Sequence, residues 1–79
     1  MLSELSQREL DVLNLLVIGD SNEQISEKLF IAYSTVKAHV QAILQKLKVN
    51  NRTQAAIIAA YFFDIKPDTI IKSANRKKY

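Results

Sequence analysis

The chain has no cysteine, and only one histidine, one glycine and one proline in 79 residues. Without cysteine it can form neither a disulfide framework nor a thiolate metal site. Its lone histidine, His39, leaves too little material for a zinc cluster or a nucleophile–base pair, so neither an enzyme nor a cofactor is expected. The scarcity of glycine and proline removes most helix breakers, and 48% of the residues are hydrophobic. An all-α fold is therefore expected. Long hydrophobic runs are missing too: the longest, Ala55 to Phe63, is nine residues, too short to span a bilayer. Met1 to Leu10 mixes Glu and Arg with leucines, which is not the pattern of a secretory signal. The expectation is a cytoplasmic protein with no membrane partner. A chain of this length makes one small domain with a thin stability margin.

Acidic residues are missing from one particular place. The net charge of +3 conceals a segment from Met1 to Tyr33 at −4, a segment from Ser34 to Gln54 at +4, and a remainder at +3. No carboxylate falls between Ser34 and Gln54. That segment is the one suited to a polyanion, although charge alone does not separate such a surface from an ordinary solvated face.

Four helix starts can be drawn. Ser6 with Glu9 forms a capping box, with Leu5 and Leu10 as its hydrophobic staple. The first helix then runs through Leu13, Leu16 and Val17 and stops near Gly19, a residue suited to a left-handed terminus. Ser21 with Gln24 opens a short second helix over about Asn22 to Leu29, facing inward with Ile25 and Leu29. Phe30 to Tyr33 form a tight connection. The third helix begins near Tyr33 or Ser34 and reaches about Leu47, with Lys48 to Asn50 turning the chain. Asn51 with Gln54 opens a fourth helix to about Phe63, and Pro67 disfavours its continuation. The basic tail beyond can form one weak turn or stay mobile.

The third helix carries two contrasting stripes. Val36, Val40, Ile43, Leu44 and Leu47 recur at helical spacing on one side. Ser34, Lys37, Ala38, Gln41, Gln45 and Lys48 recur on the other. Together with the second helix it makes a helix-turn-helix candidate from Asn22 to Gln41, in which the second helix would enter the DNA major groove. Lys37 can donate to guanine acceptors, Gln41 can pair with adenine, and the Ala38 methyl can meet a thymine methyl. The hydroxyls of Ser34 and Thr35 lie at the helix N-terminus, which favours phosphate.

These residues resemble the LuxR-type helix-turn-helix family from about Leu5 to Ile65. The matches are Leu5-Ser6-x-Arg8-Glu9-x-x-Val12-Leu13, Gly19-x-Ser21-Asn22-x-x-Ile25, Leu29-x-Ile31, Thr35-Val36-Lys37-x-His39-Val40, Ile43-Leu44-x-Lys46-Leu47-x-Val49 and Asn51-Arg52-Thr53-x-Ala55. The resemblance implies a four-helix DNA-binding transcription regulator domain over residues 1–65, followed by a basic C-terminal tail over 66–79. It implies base reading by Lys37, Ala38 and Gln41, and backbone or framework roles for Thr35, His39, Lys46, Asn51, Arg52 and Thr53. Ser34, Gln45 and Lys48 are expected at the DNA backbone beside them. Arg52 can either bind phosphate or form a framework ion pair with Glu9. Ala32 departs from the family pattern, which usually has Ser or Thr as the cap of the third helix.

The fourth helix in the family is the usual dimerisation element. Here its nine consecutive apolar residues exceed what one domain's core can absorb. Ala55, Ala56, Ala59 and Ala60, with Phe62 and Phe63, are the expected contacts of a weak homodimer reading an inverted repeat. The alternative is that Ile65, Ile70 and Ile71 of the tail cover that face. Double-stranded DNA is the principal expected partner, with RNA polymerase a further candidate. The rival function is a helical protein-interaction module that dimerises through the fourth helix without specific DNA binding.

Overall fold

The computed structural model describes residues 2–62. A 3-10 turn at Leu2–Glu4 leads into α1 (Gln7–Ile18), α2 (Asn22–Leu29), α3 (Tyr33–Leu47) and α4 (Arg52–Phe62). The tail and Phe63 lie outside the described residues.

The first two helix starts form as the sequence predicts. The Ser6 hydroxyl accepts from the Glu9 amide at 3.1 Å, and the Glu9 carboxylate accepts from the Ser6 amide at 2.9 Å. Ser21 and Gln24 repeat the arrangement at 3.2 and 2.8 Å. At α4 the box is shifted by one residue. Asn51 Oδ1 accepts from the Gln54 amide at 2.9 Å, but Gln54 Oε1 accepts from the Asn50 amide, at 2.8 Å. α3 has Ala32 at its cap position and no side-chain cap bond. Neither Ser34 nor any neighbour replaces it.

The C-terminal ends of α1, α2 and α3 share one geometry. Asp20 donates its amide to the Leu15 carbonyl, Ile31 to that of Ser26 and Val49 to that of Leu44, at 3.0, 3.2 and 3.0 Å. These six-residue closures require a left-handed residue just before the donor. Gly19 supplies the first, with φ 99°. Phe30 and Lys48 supply the others, with φ 56° and 58°, at a strain that glycine would avoid. Packing accounts for both exceptions: Ile31 and Val49, the residues that follow, are half-buried against the core.

The core is made of Leu5, Val12, Leu13, Leu16 and Val17 from the first segment, Ile25 from α2, Val36, Val40, Ile43 and Leu47 from α3, and Ala55 and Ala59 from α4. Leu10, Leu29 and Leu44 pack on its edge. α1 contacts α3 and α4, α2 contacts α3, and α3 contacts α4. The apolar stripe of α3 is thus gripped from several sides, which leaves its other stripe facing out.

Candidate nucleic-acid interface

The outer stripe of α3 is where its spacing places it. Ser34, Thr35, Lys37, Ala38, Gln41, Gln45 and Lys48 are all exposed, and Val36, Val40, Ile43 and Leu47 are buried beneath them. Fifteen helical residues give a rod of about 22 Å, and Lys37 and Gln41 stand one turn apart along it. His39 is half-buried on the flank. No carboxylate occurs in the sequence from Lys28 to Phe63, so the acid-free stretch includes the turn before α3 and all of α4.

The cations divide into two groups. Lys46 Nζ lies 2.8 Å from Glu9 Oε1. This contact, with the Ser6 amide bond, holds the Glu9 carboxyl below its ordinary pKa against the opposing effect of burial. Glu9 is the buried charged residue of the core region, and the Lys46 ammonium completes its coordination. Lys46, expected at the DNA backbone, is therefore tied into the framework between α1 and α3.

Arg52 does not pair with Glu9, as one expectation had it. Its guanidinium donates to Asn22 Oδ1 at 2.7 Å and to the Asp20 carbonyl at 3.0 Å. The start of α4 is thereby fastened to the start of α2. Arg52 is bonded within the fold, but to other partners than the one expected, and the Glu9 carboxylate takes Lys46 instead. Asn51 is engaged as the α4 cap, while Thr53 beside it is exposed. Lys37 and Lys48 remain as exposed cations with no carboxylate within 4.0 Å among the described residues.

The expected dimer contacts also divide. Ala55 and Ala59 are fully buried within the chain's own core and cannot face a partner. Ala56 and Ala60 are half-buried, and Phe62 is exposed. The outward face of α4 instead presents Ile57, Tyr61 and Phe62, at 66%, 87% and 55% exposure. Helical phase accounts for the correction. Ala55 and Ala59 are one turn apart on the side toward α1 and α3, and a run of nine apolar residues hides that phase from view.

Two features were not read from the sequence. The Tyr33 ring sits under the Lys37 ammonium, with Nζ 5.9 Å from the ring centroid. An open cleft of about 540 Å³ between the starts of α2, α3 and α4 is lined by Asp20, Ser21, Asn22, Tyr33 and Arg52, among others. The Tyr33–Lys37 spacing of four was available as a signal; the cleft was not. Among the described residues, no group of three or more His, Cys, Asp or Glu is placed to hold a metal ion. No helix among them is long and apolar enough to cross a membrane.

The family profile described as bacterial regulatory proteins, luxR family, matches residues 3–59. The chain belongs to the luxR family. It is 51% identical over 55 residues to the transcriptional regulatory protein LiaR of Bacillus subtilis, a match covering 70% of this chain and 26% of LiaR. It is 53% identical over 53 residues to the transcriptional regulatory protein DegU of Brevibacillus brevis, covering 67% of this chain and 22% of DegU. It is also similar to a glycerol metabolism activator of Pseudomonas putida, 51% identical over 59 residues, covering 75% of this chain and 27% of that protein. The chain spans about a quarter of the length of these relatives. Regulators of the luxR family bind double-stranded DNA, and membership marks this chain as a helix-turn-helix regulator domain rather than an enzyme.

Proposed function

We propose that this domain regulates transcription by reading a specific double-stranded DNA sequence with α3 in the major groove. The observation that carries the reading is the pairing of a fully anchored apolar stripe with an exposed, acid-free stripe on the same helix. Lys37, Ala38 and Gln41 read base edges. Ser34, Thr35, Gln45, Lys48 and Thr53 contact the phosphate backbone, with His39 and Asn51 at its edge; phosphate contacts supply affinity and base contacts supply preference. Lys46 fastens the reading helix to α1, and Arg52 joins α4 to the start of α2. Two copies associate weakly through Ile57, Tyr61 and Phe62, flanked by Ala56 and Ala60, and read half-sites about one helical turn apart as an inverted repeat. RNA polymerase is a partner for a regulator so placed, and the cytoplasm is its compartment.

The exposed apolar face of α4 also supports a second reading, a protein-interaction module without specific DNA binding. Selection of bound sequences from a random duplex library, at a stated salt concentration, separates the two. A recovered two-fold motif, with Lys37→Ala losing about 1–3 kcal/mol at one position of it, supports DNA reading by a pair. A featureless pool, indifferent to Lys37, leaves the interaction module.

A further inference from the structure

We infer that Tyr33 is a positioning residue for base recognition: its ring holds the Lys37 ammonium in one direction before DNA arrives, without neutralising it. The inference rests on the proposed role of Lys37 in reading a base. Tyr33 is the first residue of α3 and stands one turn before Lys37 on the same outward face. Nζ lies 5.9 Å from the ring centroid, within the range in which the ring quadrupole attracts a cation. The ring is half exposed, at 49%, and is not a core residue. Tyr33 also lines the cleft, together with Asp20, Glu23 and the Arg52–Asn22 bond that joins α4 to α2. Asp20 is paired with Lys28, and neither acid lies within 4.0 Å of the Lys37 ammonium.

Chemistry distinguishes this partner from the one given to Lys46. A carboxylate, as at Glu9, would occupy ammonium protons and cancel the charge that a guanine acceptor or a phosphate needs. An aromatic face attracts the cation but offers no lone pair of comparable strength, so the ammonium keeps its three donors. It also narrows the range of a side chain with four rotatable stem bonds, which otherwise loses that freedom on binding. The two lysines of α3 are therefore matched to different tasks: Lys46 to a carboxylate within the framework, and Lys37 to an aromatic ring at the reading surface. The hydroxyl of Tyr33 has no part in this, so phenylalanine should substitute.

The test uses the whole chain and the duplex recovered from library selection. Dissociation constants are measured for that duplex and for versions changed at the base pair sensitive to Lys37, with wild type, Tyr33→Phe, Tyr33→Leu, Lys37→Met and the Tyr33→Leu/Lys37→Met double variant. Discrimination at that base pair should fall about two- to fivefold in Tyr33→Leu, stay unchanged in Tyr33→Phe, and show no further loss when Tyr33→Leu is added to Lys37→Met. In the free protein, the Lys37 ε-methylene proton resonances should be shifted upfield by the ring in wild type and Tyr33→Phe, and return in Tyr33→Leu. Unchanged discrimination in Tyr33→Leu, equal losses with and without Lys37, or unshifted ε-protons in wild type would overturn the inference. Wild-type protein that prefers no sequence at all would instead overturn the DNA-reading function on which it rests.

Discussion

Lys46 Nζ and Glu9 Oε1 are 2.8 Å apart across 37 positions of sequence. The same carboxylate oxygen closes the α1 capping box through the Ser6 amide. One acid thus starts α1 and fastens α3 to it.

Glu9 makes stability depend on acid. Its carboxyl is held below the ordinary value of 4.5 by the Lys46 hydrogen bond first and the Ser6 amide second. A group whose folded pKa is depressed contributes fully above its unfolded pKa and loses that contribution as pH falls through the folded pKa. Denaturant midpoints should therefore be steady above about pH 5 and fall below it. Glu9→Gln should lower stability by about 1–2 kcal/mol at neutral pH and flatten the acid fall. An equally steep acid fall in Glu9→Gln would assign the effect to other carboxylates.

Ala32→Ser should stabilise the domain. α3 starts without a side-chain cap, and a hydroxyl there satisfies an amide for about 1 kcal/mol. A rise in thermal midpoint is the expected readout. An unchanged midpoint would show that the uncapped amides find equivalent partners already.

Arg52→Ala should loosen the junction of α4 with α2. Two charge-assisted bonds are lost, to Asn22 Oδ1 and the Asp20 carbonyl, and a loss of about 1–2 kcal/mol is expected at this half-buried site. Stability and DNA affinity are measured separately. Weakened binding at full stability would restore Arg52 to the phosphate contacts.

Phe30→Gly should be nearly neutral or slightly stabilising, contrary to the usual several-kcal/mol loss on deleting a phenylalanine ring. Phe30 is 92% exposed with φ 56°, so the substitution removes little packing and relieves a left-handed backbone. A large loss in urea unfolding would reveal a contact made by this ring.

On α4, two substitutions should separate core from interface. Ile57→Asp changes a residue that is 66% exposed and should abolish self-association while leaving thermal stability within about 0.5 kcal/mol. Ala59→Leu overfills a fully buried site and should cost about 1–3 kcal/mol. Sedimentation across concentration, beside melting curves, distinguishes them. Unaltered association in Ile57→Asp would remove this face from the proposed dimer.

The signals legible in the sequence were local ones. Ser6 with Glu9, Ser21 with Gln24, and Gly19 after α1 act within one helical turn, where side chain and backbone meet whatever lies beyond. The two stripes of α3 were legible for the same reason, because helical period alone separates Val36 and Val40 from Lys37 and Gln41. Phe30 and Lys48 gave no such sign. Their left-handed backbone follows from drawing Ile31 and Val49 onto the core, and neither residue type announces it. The shift of Gln54 from Asn51 to the Asn50 amide is equally silent in the sequence.

By itself, then, the sequence determined where helices begin, that α3 has one face to bury and one to offer, and that acids are kept from the offered face. Those properties depend on residues within a few positions of one another. Tertiary structure alone decided that Glu9 takes Lys46, that Arg52 takes Asn22 and Asp20, and that Ala55 and Ala59 belong to the core while Ile57, Tyr61 and Phe62 face outward. Each is a choice among partners of similar chemistry at long separation. Only the packing of four helices brings one of them within hydrogen-bond or van der Waals reach.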